Sequence, residues 1–170
     1  MRRNQWFLGA ALLAFAQYTS AQMQGSQSQS VAACQLPEVL NAWSKPALSV
    51  ASVAHRNAND LGGTVQSPYR VQLLACAADW CKPGSFAAMV KIDLPQQGRY
   101  RVAVDKMLWI DVLTATQKVE GLLCEHSGCQ PIRKIVQYDL KAGPHWIVLE
   151  SKMPGDSGLL VTKVLATDAN

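Results

Sequence analysis

Three histidines, five cysteines, one acid inside an apolar run and a Gly-Asp-Ser-Gly stretch are the residues of this chain whose types could do chemistry. The histidines, His55, His126 and His145, fall in separate turns or strand edges, and none stands in a His-x-Asp/Glu or His-x-His pair. A two-histidine, one-carboxylate iron site normally draws such a pair from a strand, so non-haem iron chemistry is not expected. Cys124-x-His126 with Cys129 offers three soft ligands, yet zinc asks for a fourth protein ligand or an open catalytic position. A bridged loop with an exposed histidine is the simpler expectation. Asp111, within Trp109-Ile110-Asp111-Val112-Leu113, has the surroundings that can raise a carboxyl pKa and make a general base. The expected role is structural instead: Asp111 faces outward, or pairs with an arginine such as Arg101. Ser157 in Gly155-Asp156-Ser157-Gly158 has the residue order of a trypsin-like nucleophile. The chain is short for that fold and no histidine stands in an Ala-Ala-His-Cys context, so a type I or II turn within Met153 to Gly158 is expected. There is no Cys-x-x-Cys-His for a covalently held haem, no Gly-rich dinucleotide fingerprint and no P-loop. No catalytic residue, cofactor or bound metal is expected.

The N-terminus bears on the cysteines. Met1-Arg2-Arg3-Asn4-Gln5 is a short positive segment, Trp6 to Ala16 is apolar, and Thr19-Ser20-Ala21 offers small residues for cleavage. That is the build of a secretory signal peptide over 1–21. Eleven apolar residues make a helix of only ~17 Å, against a hydrocarbon core of ~30 Å, so the segment is expected to leave rather than to anchor. An exported, periplasmic domain follows, with membrane contact only indirect, through a partner. Removing 1–21 takes away two arginines, and the 149 remaining residues carry 14 basic and 12 acidic side chains. So small a charge, without a clustered basic face, argues against nucleic acid.

All five cysteines, Cys34, Cys76, Cys81, Cys124 and Cys129, lie beyond that segment, and in an exported chain disulfides are the default. An odd count leaves at least one free or joined to another chain. Cys76 and Cys81 enclose Ala-Ala-Asp-Trp, which suits a bridged turn between strands; Cys124 and Cys129 have the same spacing, and Cys34 to Cys129 would close a longer loop. Of the tryptophans, Trp80 in the short loop is expected to be exposed, as a sugar platform or an interface anchor. Trp109 and Trp146, within strands, are expected in the core.

These residues must be positioned by a mostly β chain. A polar lead-in, 22–33, precedes the domain at 34–166 and a short tail, 167–170. Leu36 to Trp43 has Pro37 and Glu38 where a helix starts, and Pro46 stops it. Period-two runs then follow at Leu48–Ala54, Tyr69–Cys76, Phe86–Leu94, Arg99–Val104, Met107–Thr114, Pro131–Leu140, Pro144–Glu150 and Leu159–Leu165. In the fourth, Tyr100, Val102 and Val104 are expected to be buried, with Arg101 pointing to water. About eight strands and one short N-terminal helix predict an all-β domain, a two-sheet antiparallel β-sandwich of jelly-roll type.

Gly98-Arg-Tyr-Arg-Val-Ala103 with Trp109-Ile-Asp-Val-Leu113 forms one familiar stretch; Cys129-x-x-Ile132-Arg-Lys-Ile-Val136 with Leu140-x-Ala-Gly143 forms another. With Cys34-x-Leu-Pro37 and Trp43, they resemble a family of small exported bacterial β-sandwich proteins, some of which carry the name homogentisate dioxygenase. No histidine here matches a metal site for such an activity. The resemblance implies a bridge between Cys34 and Cys129. In size, export signal and lack of cofactor motifs the chain also looks like the small subunit of the membrane-bound quinohaem alcohol dehydrogenase of acetic acid bacteria. In that assembly a large subunit holds pyrroloquinoline quinone and haem c, and a second subunit is a multihaem cytochrome. What this resemblance implies is a non-catalytic accessory subunit, joined to the inner membrane through its partners. A carbohydrate- or cell-wall-binding module is the alternative, and a small enzyme built on Asp111 and His145 a third.

Overall fold

The computed structural model describes residues 38–52, 62–126 and 130–165. The segments expected to be a signal peptide (1–21), a lead-in (22–33) and a tail (167–170), together with Cys34, His55 and Cys129, lie outside the described residues. A 3-10 helix, Glu38–Ser44, comes first. Ten strands follow: β1 (Leu48–Val50), β2 (Pro68–Ala75), β3 (Phe86–Leu94), β4 (Gly98–Val104), β5 (Trp109–Leu113), β6 (Lys118–Val119), β7 (Leu123–His126), β8 (Lys134–Leu140), β9 (Gly143–Ser151) and β10 (Gly155–Lys163). The all-β class is as expected, and eight of these strands fall on the eight period-two runs. The other two, β6 and β7, carry no buried alternation and were not expected. The helix is of the tighter 3-10 kind, with Lys45 N–H bonded to Ala42 O three residues back.

The strands run in the order β6-β5-β9-β3-β2-β10-β4-β8-β7, antiparallel throughout, while β1 lies parallel to β2. They form one connected path curled into a half-barrel rather than two clearly separate layers. The join is β2. Residues 68–73 pair with β10, whereas Leu74 and Ala75 pair with β3. Where β3 leaves β2, β1 fills the gap beside Tyr69 to Val71, and the Ser52 hydroxyl accepts the Met89 N–H at 3.0 Å.

Inside the curl lies the main core, with Val71, Val90, Val102, Val112, Leu149 and Leu159 among its fully buried members. Two satellites cover the outer face. Leu40, Ala42 and Trp43 of the helix pack on Ala103, Ile132, Ile135 and Leu160. On the other half, Trp80 and Leu113 pack on Met89, Trp146 and Val148. These covers explain why β4, β8, β9 and β10 are buried on both faces instead of alternating. They also correct the reading of Arg101, which is only 7% exposed. It stands on the outer face in register with Thr162 and Gln137, both buried.

Across the open side of the curl, β8 reaches β5 through side chains. The Tyr138 hydroxyl donates to Ile110 O at 3.0 Å and Lys134 Nζ to Leu108 O at 2.9 Å. Strand β6 pairs only with Val112 and Leu113, so it does not reach these carbonyls. Side-chain donors supply what a ladder would otherwise provide.

Candidate functional site

Strand β5 begins with a residue that breaks the expected pattern. Leu108, Ile110 and Val112 turn into the core, and that parity turns Met107, Trp109 and Asp111 outward. Trp109, expected in the core, is 54% exposed, and Met107 is 62% exposed. Trp80, expected to be the exposed ring, is half-buried against Met89, Trp146 and Val148. Trp146 is buried as expected. The bridged loop lays Trp80 on the outer face of β3 and β9, and the Trp109 ring lies outside that cluster.

Three lysines from three elements surround the Trp109 ring. Lys82 Nζ lies 5.3 Å from the ring centroid, Lys134 Nζ 5.6 Å and Lys118 Nζ 5.8 Å. Each is within the range where an ammonium is attracted to the ring quadrupole, worth ~0.5–1 kcal/mol at an exposed site. Lys82 follows the Cys76–Cys81 disulfide, which the structure forms with a Cα separation of 6.0 Å. Its backbone is fixed on both sides: its N–H donates to Glu150 Oε2 at 3.3 Å, and its carbonyl accepts the Ser85 hydroxyl at 2.7 Å. Glu150 is the cross-strand partner of Trp109 on β9. Lys118 stands on β6 after a turn in which Thr114 N donates to Gln117 O at 2.8 Å. Lys134 opens β8 and is held by Leu108 O.

Two carboxylates lie among these cations. Asp111 faces outward, one of the two placements expected of it, and pairs with Lys118 at 2.8 Å, while Glu150 stands 3.7 Å from Lys82 Nζ. Lys134 has no carboxylate partner among the described residues, so the cluster retains a positive charge. Deeper in, burial first and then the nearby Asp111, Cys124 and Glu120 hold the Tyr138 phenol well above its ordinary range. The hydroxyl therefore stays protonated as donor to Ile110 O.

The other chemistry-bearing residues have structural surroundings. Ser157 is not in a turn: it lies within β10, fully buried, and donates to Asp105 Oδ1 at 3.1 Å. Asp105 also accepts the Gly158 N–H at 2.8 Å and a 2.8 Å ion pair from Arg70. The Gly-Asp-Ser-Gly run thus stitches β10 to the end of β4. His145 is buried in β9, with Nδ1 3.1 Å from Gly143 O. Cys124 is exposed and carries no disulfide, so the alternative pairing with Cys129 is not made. Cys34 and Cys129 lie outside the described residues. No group of three potential metal ligands occurs among the described residues, and no helix among them is long and apolar enough to cross a membrane.

The sequence held a sign of the exposed ring. Asp111 and Trp109 share parity on β5, so an outward Asp111 carries Trp109 outward with it. The lysines gave none, since they stand at 82, 118 and 134 and meet only through the curl. No protein-family model matches the chain, and no curated protein matches it.

Proposed function

We propose that this chain is a non-catalytic accessory subunit, exported to the periplasm, that docks on and stabilises a larger quinohaem alcohol dehydrogenase at the inner membrane. The observation that carries the docking role is Trp109, half-exposed beside Met107 and framed by lysines. An aromatic centre with a charged rim is the anatomy of an interface anchor. The partner's identity rests on the family resemblance of the sequence. In the same reading, the curled sheet is an opened two-sheet sandwich of jelly-roll type, hinged at β2, and its role is to present that surface.

The carbohydrate-binding alternative ranks second because a sugar platform needs a row of exposed rings, and among the described tryptophans only Trp109 is exposed, Trp43 and Trp80 being half-buried and Trp146 buried. The test is gentle detergent extraction from the native membrane with a tag after Asn170. A red complex oxidising ethanol is expected to co-purify. Recovery of a colourless monomer at native abundance would remove the proposal.

A further inference from the structure

The cluster around Trp109 also restricts what can cover it, and we infer that its occupant is an acidic protein segment. Such a segment lays an apolar side chain on Met107 and Trp109 and directs carboxylates at Lys82 and Lys134. This rests on the accessory-subunit reading and names the chemistry of the partner's surface.

The three lysines are not equivalent. Lys118 is already held by Asp111 at 2.8 Å. Lys82 is the freest, its side chain 74% exposed and its carboxylate neighbour at a long 3.7 Å. Lys134 donates to a backbone carbonyl, and among the described residues its charge has no carboxylate against it. Lys82, only loosely paired, and Lys134 thus remain for incoming anions, both within about 6 Å of the centroid of an exposed ring. Lys134 is held in place by its bond to Leu108 O, and the backbone of Lys82 is fixed by its bonds to Glu150 and Ser85, so part of the ordering cost of docking is already met.

Two other occupants fit less well. An anionic lipid surface gains only ~1 kcal/mol per nearby lysine, and it would bring its phosphates against Asp111 and Glu150. A neutral polysaccharide would leave the charges of Lys82 and Lys134 unmatched. A protein segment can match a mixed pattern, offering carboxylates to Lys82 and Lys134 while avoiding Asp111 and Glu150.

The experiment uses the full tagged chain in native membranes. Haem absorbance recovered per mole of tagged chain is read at low and high salt, for wild type, Lys82→Glu, Lys82→Arg and Trp109→Ala. Circular dichroism and urea midpoints confirm that each variant is folded. Recovery is expected to fall about tenfold or more in Lys82→Glu and Trp109→Ala, to survive in Lys82→Arg, and to weaken with salt in the wild type. Equal recovery from wild type, Lys82→Glu and Trp109→Ala would overturn the inference and leave the accessory role standing. No haem protein from the wild type at any salt would overturn the accessory role itself. Lysine-dependent adhesion to phosphatidylglycerol vesicles, without recovery of a haem protein, would assign the surface to lipid and overturn both.

Discussion

The Tyr138 hydroxyl on β8 donates to the carbonyl of Ile110 on β5 at 3.0 Å, joining strands that stand second from either end of the sheet order. Among the described residues no backbone ladder joins them, so this bond and that of Lys134 to Leu108 link the two limbs of the curl beside their shared core. Tyr138→Phe removes the donor and leaves a buried acceptor unmatched, a loss of about 1–3 kcal/mol. Urea unfolding of the variant should show a lower midpoint with an unchanged m-value.

The same phenol makes stability depend on alkaline pH. Its folded-state pKa lies above the ordinary value, so folding favours the protonated form. That contribution is complete below about pH 10, where the unfolded tyrosine begins to ionise, and is lost as pH rises toward the folded value. Tyr100, raised chiefly by burial, adds in the same direction. Stability measured across alkaline pH should therefore fall, and Tyr138→Phe should fall less steeply.

Cys76 and Cys81 close a loop with a sequence separation of five. The chain-entropy model assigns about 2 kcal/mol to so short a ring. Replacing both cysteines by alanine should lower stability by about that amount, and should loosen Trp80 and Lys82 together. Thermal unfolding with and without reductant checks the first effect, and the emission of Trp80 the second.

Gly158 lies beneath Trp43: an added Cβ would come 2.7 Å from Trp43 Cζ2 and 2.9 Å from Asp105 Oδ2. Gly158→Ala must push the helix off the sheet or break the Asp105 cluster, costing about 1–3 kcal/mol. Asp105→Ala should cost a similar amount by leaving the Gly158 N–H without its acceptor. Urea unfolding of both variants provides the check, and stability equal to wild type in either would show the stitch to be unimportant.

Trp109 should be readable by collisional quenchers. The lysine frame gathers anions and repels cations, so iodide should quench tryptophan emission more strongly than caesium at low salt, with the difference fading as salt rises. Trp109→Phe should remove most of that asymmetry while changing stability by no more than ~0.5 kcal/mol, as for an exposed position.

Much of this fold could be read from alternation and turn residues. Phe86 to Leu94 and Pro144 to Glu150 matched observed strands because period two and Gly or Pro punctuation mark both ends. Strand β7 escaped because Leu123 to His126 are all exposed, so its pairing to β8 leaves no hydrophobic signature. The outer covers were equally hidden. Whether Arg101 meets water, and whether Trp80 or Trp109 does, depends on which segment folds over which half of the sheet, a long-range matter that local periodicity does not encode. Met153 to Gly158 read as a turn because Pro, Gly and Asp concentrate there, yet pairing of Gly155 to Ser157 with β2 draws them into a strand.

Among the described residues, a curl that stops short of closure has two rims, and each is a template on which a neighbouring molecule could polymerise. One rim, β6, is two residues long and begins with Lys118; the other, β7, ends in Glu125 and His126. Brevity on one side and ionic or titratable groups on the other disfavour cross-β stacking between molecules. The exposed Leu122 and Leu123 at the start of β7 leave that rim the less guarded of the two.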